Sequence, residues 1–177
     1  ATRLINERGY RGASVERIAS ELNVTKGSFY HHLQAKDDLV LACFRRSFDT
    51  VTYAQRQADG AGTDRQQRLM IAIATLLDVQ FSERGPLLRT TALQALPVEF
   101  REGVIDSSNR MARRFAGMIA DGISEGSIRA VDPMIASQML MCTINSAYEL
   151  RGWAAGMAPA QAITSYAATL ATGLFDD

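Results

Sequence analysis

Apolar residues recur along most of this chain at intervals of three and four positions, the spacing that places them on one face of an α-helix. One such series is Val15, Ile18, Ala19 and Leu22, and another is Leu69, Ile73, Leu76, Leu77 and Phe81. No stretch shows the strict alternation of apolar and polar residues that is typical of a β-strand. The pattern therefore predicts an all-α protein with about nine helices.

Glycine, proline and capping residues divide this pattern into separate helices. Gly9 favours an end of the first helix near Arg8, and Asp132-Pro133 favours a helix start with proline in the first turn. Five longer helices are expected over about 36–57, 64–82, 97–126, 132–155 and 159–174, with a shorter helix ending near 96. The small and polar residues 58–63 are the clearest linker.

Two short helices near the start are joined by a tight turn, an arrangement that predicts a helix-turn-helix. Ser14 and Thr25 are good N-caps for these two helices, and Asn23-Val24 forms the turn between them. In the second helix, Phe29 and Leu33 are spaced i, i+4 and are expected to face the core. A helix of this size fits the major groove of DNA.

The same stretch carries a family resemblance. From Ile18 to Leu39 the chain reads Ile-Ala-x-x-Leu-x-Val-x-x-x-x-Phe-Tyr-x-His-Leu-x-x-Lys-x-x-Leu. This resembles the DNA-binding domain of the TetR (tetracycline-repressor-like) transcription regulators, over roughly the first 50 residues. We therefore expect a three-helix DNA-binding domain over 1–45, with helix 4 continuing to about 57 as a connector. An α-helical effector-binding and dimerisation domain is expected over 46–177.

Outward-facing residues of the helix-turn-helix are the candidates for DNA contact. Lys26 suits a base edge or a phosphate, and Lys36 suits a phosphate. The resemblance implies backbone contact for Tyr30, phosphate contact for His32 and a more variable contact for His31. The full predicted DNA-binding set is Ser14, Arg17, Thr25, Lys26, Gly27, Ser28, Tyr30, His31, His32 and Lys36.

Two features of this region have competing interpretations. Some relatives in the family use a basic base-reading residue where this chain has Glu16, although a glutamate can accept a hydrogen bond from cytosine N4. His31 and His32 are adjacent, so on a helix they point about 100° apart, and no carboxylate or thiol stands at ligand spacing. We therefore expect no metal site and no cofactor.

Charge and cysteine content agree with this interpretation. Lys and Arg outnumber Asp and Glu by three through Ala58, and the rest of the chain has the opposite excess. A positive N-terminal part suits phosphate contact. Cys43 and Cys142 lie in apolar helical patterns, and we expect buried free thiols rather than a disulfide. No apolar run is long enough to span a membrane and no signal peptide is visible, so a cytoplasmic location without membrane contact is expected.

A single helix-turn-helix covers only a few base pairs, so useful affinity requires two half-sites and a homodimer. The last two helices are the candidate interface because they carry small residues at helical spacing. A four-helix interface is also what the family resemblance implies. The predicted residues are Gln138, Met141, Asn145, Glu149, Gly152, Thr164, Ala168 and Ala171.

The resemblance further implies a small-molecule effector that binds in the body and changes the spacing of the two DNA-binding domains. Methionine and aromatic residues at helical spacing suggest an apolar pocket, although such residues are more often plain core. The predicted pocket residues are Phe81, Ser108, Met111, Phe115, Met118, Met139, Cys142, Thr143 and Tyr148. The expected effector is small and mostly apolar or weakly polar.

The sequence bears on three function classes. An enzyme is not expected, since no nucleophile–base pair, carboxylate pair or metal set is recognisable by spacing. A helical protein-interaction module that has lost DNA binding would carry acids or bulky apolar residues in place of Lys26, Tyr30 and Lys36. The favoured function is a ligand-responsive transcription regulator, a repressor by family resemblance, that binds a palindromic double-stranded operator as a dimer.

Overall fold

The computed structural model describes residues 1–32, 35–61, 64–82, 85–150 and 156–172, without the side chains of His31, His32 and Leu150. Its elements are α1 (Thr2–Gly12), α2 (Val15–Glu21), α3 (Lys26–His32), α4 (Lys36–Asp59), α5 (Arg65–Phe81), a 3-10 helix (Thr90–Ala95), α6 (Val98–Glu125), α7 (Pro133–Leu150) and α8 (Pro159–Thr172). Within the described ranges there is no strand. The all-α prediction with about nine helices is confirmed.

Most helix ends agree with the predicted positions, and the first helix is the main exception. It continues to Gly12, although Gly9 interrupts the helical geometry with φ of 68° and ψ of 172°. The glycine therefore kinks the helix where the sequence predicted its end. The short helix before Leu96 is a 3-10 helix rather than an α-helix. The expected extensions of the last two helices, over 151–155 and 173–174, lie outside the described residues.

The first hydrophobic core joins the N-terminal helices to a later part of the chain. Ile18 and Phe29 pack in this cluster with Val40 and Phe44 of α4. The cluster is closed by Leu88, Ala92, Leu96 and Val104, which come from beyond residue 85. The predicted N-terminal domain therefore buries part of its core against a later part of the chain, while the boundary at residue 45 stays a prediction.

The second core fills the body and begins further along α4. Val51 and Ala54 of α4 pack there with residues of α5, α6 and α7, including Leu76, Phe115 and Ile144, which are fully buried. Because α4 contributes residues to both cores, it connects the DNA-binding region to the body.

Residues 85–89, between α5 and the 3-10 helix, form what we call the junction segment. Polar side chains from three helices form hydrogen bonds with its backbone. The Leu88 amide donates to Ser47 Oγ on α4 over 2.8 Å, and the Leu87 amide donates to Gln80 Oε1 on α5 over 3.1 Å. Asn6 on α1 donates from Nδ2 to the Leu87 carbonyl over 2.9 Å. The segment therefore ties α1 to the body.

Candidate DNA-binding surface and effector cavity

The helix-turn-helix is formed by local capping, as the sequence predicted. Ser14 Oγ accepts from the Arg17 amide at 3.3 Å and begins α2, and Thr25 Oγ1 accepts from the Ser28 amide at 3.1 Å and begins α3. Asn23 lies between them with φ of 54°, a left-handed conformation that asparagine tolerates better than most residues. The Val24 amide reaches back to the Ala19 carbonyl over 2.9 Å. These contacts fix the angle between α2 and α3.

One face of α3 is buried and the other is exposed. Phe29 is 4% exposed and packs in the first core, whereas Tyr30 is 46% exposed and meets the Phe29 ring edge-on at 5.5 Å between centroids. The remaining described candidates on the exposed side are Arg17, Thr25, Lys26, Gly27 and Ser28, with Ser14 half-buried beside them. The predicted core position Leu33 and the side chains of His31 and His32 lie outside the described residues.

Lys26 forms an ion pair with Glu16, the acidic residue whose role the sequence left open. Its Nζ donates to Glu16 Oε1 over 2.5 Å, across the gap between α3 and α2. The hydrogen bond to Lys26 lowers the pKa of Glu16, and the same bond raises the pKa of Lys26. Both groups therefore stay charged near neutral pH.

Lys36, predicted as a phosphate contact, has partners within the protein. Its Nζ donates to the Tyr10 carbonyl and lies 4.2 Å from the centroid of the Tyr10 ring. The Tyr10 hydroxyl in turn donates to Asp37 Oδ1 over 2.5 Å. Burial lowers the pKa of Lys36, whereas burial and the bond to Asp37 raise the pKa of Tyr10 to about 12. These contacts fasten the end of α1 to the start of α4.

The body contains a cavity of about 1100 Å³. It lies between the first half of α5, the end of α6, the connector 127–132, the first half of α7 and the inner face of α8. Its apolar wall includes Leu69, Met70, Ile73, Ile119, Ile135, Leu140 and Leu170. The charged residues in the lining are Arg129 and Asp132, both exposed on the connector.

Tyr166, one of the residues that line the cavity, carries a hydroxyl group without a hydrogen-bond partner. Tyr166 of α8 packs its ring 6.3 Å from the Phe81 ring, and its oxygen is buried with no partner in the protein. Burial raises the pKa of Tyr166, so the group is a neutral hydrogen-bond donor. An unsatisfied buried donor is costly, so this hydroxyl lowers the stability of the free protein.

The cavity and the predicted pocket share Met139 and Thr143. Phe115 is fully buried, and Phe81, Met111 and Met118 pack around the second core. Tyr148 donates to Glu7 Oε1 on α1 over 3.1 Å, and Ser108 is half-buried on α6. Cys43 is buried as expected, but Cys142 is exposed, so the expectation of a buried thiol was wrong there. The lining residues that the sequence did not predict lie on α5, α6, α7 and α8 and on the connector, and no helical period predicts the side-chain directions of the connector.

The predicted dimer residues fall on both sides of the last two helices. Gln138, Thr164, Ala168 and Ala171 are exposed, whereas Met141 packs against the second core. Asn145 donates from Nδ2 to the Met141 carbonyl over 3.0 Å, and Glu149 pairs with Arg89. Gly152 lies outside the described residues.

Among the described residues, no group of three or more His, Cys, Asp or Glu side chains could hold a metal ion. No described helix combines the length and apolar character needed to cross a membrane.

Two curated relatives match parts of the chain. The transcriptional activator FasR of Mycolicibacterium smegmatis is 35% identical over 78 residues, covering 44% of this chain and 36% of that protein. The transcriptional repressor KstR2 of Rhodococcus jostii is 25% identical over 146 residues, 81% of this chain and 72% of that protein. The chain thus matches little more than a third of one relative's length and under three quarters of the other's.

Solved structures share the whole fold. FadR of Bacillus subtilis, in complex with stearoyl-CoA, has a TM-score of 0.74 at 18% identity and covers 99% of this chain and 96% of its own. AibR, in complex with isovaleryl coenzyme A and operator DNA, has a TM-score of 0.75 at 21% identity, covering 96% and 93%.

Two family models match adjoining parts of the sequence. The model described as bacterial regulatory proteins, tetR family, matches residues 1–43, the part that contains the helix-turn-helix. The model described as tetracyclin repressor-like, C-terminal domain, matches residues 62–153, more than half of the chain. Together with the shared fold, these matches show that the chain belongs to the TetR family of DNA-binding transcription regulators.

Proposed function

We propose that this chain is a repressor that binds a palindromic operator as a homodimer and leaves the operator when an acyl-CoA thioester occupies the body. The observation that carries the effector part is the cavity of about 1100 Å³ with its aliphatic wall and its unbonded Tyr166 hydroxyl. The proposal contains no catalytic step, since the matched relatives are named as transcription regulators.

The cavity has the size and chemistry for a large, mostly apolar ligand. Its volume is at the upper end of typical small-molecule sites, which run to about 1,000 Å³. An acyl chain would contact Leu69, Ile73 and Leu140. Each methylene buried there would contribute roughly 0.8 kcal/mol of favourable transfer free energy. A rotation of the Tyr166 side chain towards the cavity would let its buried hydroxyl donate to a carbonyl oxygen of the thioester or of the pantetheine arm.

The rim of the cavity and the structural neighbours favour a thioester of coenzyme A. Arg129 is exposed on the connector at the rim, where a guanidinium can pair with a phosphate. Two proteins with the same fold hold stearoyl-CoA and isovaleryl coenzyme A. This class refines the sequence-based expectation of a small, mostly apolar effector, because coenzyme A adds a charged, polar end.

The dimer interface of the proposal is the outer face of α7 and α8. The exposed residues there are small or uncharged over most of their length, including Gln138, Thr164 and Ala168. Two such helices from each subunit would pack as four, and small side chains allow a close approach. The fixed distance between the two DNA-binding regions then matches half-sites one helical turn apart.

Release from DNA follows if the two states of the dimer bind the thioester with different affinities. The cavity is lined by α5 to α8, and α7 also reaches α1 through Tyr148 and the Arg89–Glu149 pair. A ligand that shifts α7 therefore acts on the position of the DNA-binding region.

The first experiment is fluorescence anisotropy of the full-length protein with DNA from upstream of its own gene, at two salt concentrations. We expect saturable binding of two subunits per site, weaker at higher salt, and at least about a thousandfold tighter than random DNA. Binding without sequence preference would place the operator elsewhere in the genome. A folded dimer that binds no DNA would contradict the proposal and favour a protein-interaction module.

The same assay tests the effector. Adding palmitoyl-CoA should release the labelled operator, whereas equal concentrations of palmitate and of free coenzyme A serve as matched controls. Release by palmitate alone would show that the acyl chain suffices and would contradict the thioester class. No release by any acyl-CoA between four and eighteen carbons would contradict the effector proposal while leaving operator binding intact.

A further inference from the structure

We propose that Glu16 and Lys26 act together as one base-reading unit that selects a G·C pair in each half-site of the operator. The inference rests on the operator binding proposed above. The two side chains come from different helices of the helix-turn-helix and meet at 2.5 Å between Lys26 Nζ and Glu16 Oε1. They form one donor–acceptor surface rather than two independent contacts.

The pair lies where a base edge can reach it. Lys26 is the first residue of α3, and residues near the start of a recognition helix contact base edges in the major groove. The side chains of Lys26 and Glu16 are 58% and 61% exposed. In contrast, Lys36 is half-buried and its ammonium already donates to the Tyr10 carbonyl. Lys26 is therefore the better placed of these two lysines for a base.

The pair retains hydrogen-bonding capacity. A lysine ammonium has three donors, and Glu16 takes one of them. A carboxylate has about four acceptor sites, and Glu16 Oε1 uses one of them to accept from Lys26. Donors on one side and an acceptor on the other thus remain for a third group.

The edge of a G·C pair complements this surface. In the major groove, guanine presents two neighbouring acceptors, N7 and O6, and cytosine presents the N4 donor beside them. The Lys26 ammonium can donate to the guanine acceptors while the Glu16 carboxylate accepts from cytosine N4. An A·T pair places its donor between two acceptors and adds the thymine methyl group, so it offers the ammonium no pair of adjacent acceptors.

Glu16 also lowers binding that does not depend on sequence. A carboxylate near the DNA backbone repels phosphates, and it neutralises a lysine that would otherwise contribute to phosphate binding. An exposed ion pair contributes little to stability, so a purely structural role gives a weak account of this acid. Base selection accounts for both the position and the pairing.

The test is selection of binding sites from a pool of random duplexes, followed by anisotropy on the selected site. Wild type should enrich a two-fold symmetric site with a G·C pair at one position of each half-site. Glu16→Gln and Lys26→Met should each lose preference at that position and keep the other positions. Glu21→Gln, an exposed acid at the end of α2, is the matched control and should select the wild-type site.

The binding constants sharpen the test. Replacing the G·C pair by A·T in both half-sites should weaken wild-type binding by about 30-fold or more, since each lost pair weakens it by about fivefold or more and the two effects add in free energy. It should weaken binding of either variant by less than about threefold. Glu16→Gln should bind random duplex more tightly than wild type and with a steeper salt dependence, because Lys26 becomes free for phosphate. Circular dichroism before each titration verifies that the variants are folded.

Three outcomes would overturn the inference, and they are distinguishable. Variants that select the wild-type site unchanged would show that the pair reads no base. If wild type selected an A·T pair at the position where the variants lose their preference, the assignment to G·C would be overturned. A wild-type protein that enriches no sequence would instead overturn the proposed operator binding, and the inference with it.

Discussion

At the scale of single residues, the Tyr166 hydroxyl is the most informative group in the body. It is buried without a partner beside a large cavity. It therefore lowers the stability of the free protein and remains an unused hydrogen-bond donor. Tyr166→Phe should leave the free energy of unfolding unchanged or slightly higher and weaken palmitoyl-CoA binding by about 3- to 10-fold, as for loss of one neutral hydrogen bond. Isothermal titration measures the affinity.

The control for this substitution is Tyr53→Phe. Tyr53 is 57% exposed on α4 and does not line the cavity, so its loss should not alter acyl-CoA affinity. Equal affinities of wild type and Tyr166→Phe would remove Tyr166 from the proposed site.

The raised pKa of Tyr10 makes the free energy of unfolding depend on pH in the alkaline range. Burial and the hydrogen bond to Asp37 raise its pKa from 10.0 to about 12, so folding favours the neutral phenol. Its contribution is fully present below pH 10 and is lost as the pH rises from 10 to about 12. In urea unfolding, the difference in free energy between wild type and Tyr10→Phe should shrink over this window. A difference that is constant from pH 8 to 12 would contradict the assignment.

Residue roles could be predicted from sequence only where they depend on neighbours in the chain. The caps Ser14 and Thr25 were identified correctly because their partners lie three positions away. The buried Phe29 was identified correctly from the helical period. The phosphate contact of Lys36 stays a prediction, whereas the contact of its ammonium with Tyr10, 26 positions away, was not predicted. Such a partner depends on how α1 packs on α4, and no local pattern contains that information.

At the scale of elements, the two glycines at predicted helix ends have different outcomes. The helix α6 ends at Gly126, as predicted, and Gly126 adopts φ of 80° and ψ of 8° in a left-handed cap. Gly9 also has a positive φ, but the chain resumes helical geometry after it. A glycine permits a helix to end, and whether it does depends on the tertiary contacts of the following residues.

The cap at Gly126 also shapes the cavity wall. After it, the amides of Ser127 and Ile128 donate to the Gly122 carbonyl over 3.0 and 3.1 Å, and the Ile128 side chain covers Gly122. Gly126→Ala should lower the free energy of unfolding by about 1 kcal/mol or more, because alanine is strained at positive φ. Urea unfolding at 25 °C measures the change.

Gly117→Ala is the matched control within α6. Gly117 is exposed, and an added Cβ there meets no atom within 4 Å, so alanine should stabilise the helix by about 0.5–1 kcal/mol. The two substitutions therefore have opposite signs. Stabilisation by both would show that the turn after α6 does not require a left-handed residue.

At the scale of the whole molecule, the sequence predicted the parts better than their assembly. Helix order and the helix-turn-helix follow from periodicity and capping, which are local. The cavity is bounded by four helices and a connector, so its position depends on how each helix is rotated about its axis. That rotation separates Met139 and Thr143, which line the cavity, from Phe115, which fills the core.

The two ends of the molecule are joined by polar contacts that centre on Arg89. Its backbone amide donates to Asn6 Oδ1 over 3.1 Å, its Nη1 donates to the Asn6 carbonyl over 3.0 Å, and its Nη2 pairs with Glu149 on α7. Gln80 adds a second link, donating to the Ile144 carbonyl of α7 over 2.7 Å. A helix that lines the cavity is thus bonded, through one side chain, to the first helix of the DNA-binding region.

If this link transmits the effector signal, Arg89→Gln should reduce the coupling between the two sites. Wild-type operator affinity should fall by about 5- to 150-fold at saturating palmitoyl-CoA, the usual range of allosteric coupling, and the variant should show less than about a fivefold change. Its operator affinity without effector should stay within about threefold of wild type. Anisotropy titrations with and without palmitoyl-CoA give both quantities.

Two further variants decide whether the Arg89–Glu149 pair itself carries the signal. Glu149→Gln should reduce coupling as much as Arg89→Gln, and the double variant should reduce it no further, since the two side chains share one interaction. Arg113→Gln, an exposed arginine on α6, should behave as wild type. Additive effects of the two substitutions would mean that each acts through other contacts, and unchanged coupling in all variants would leave α4, which spans both cores, as the route.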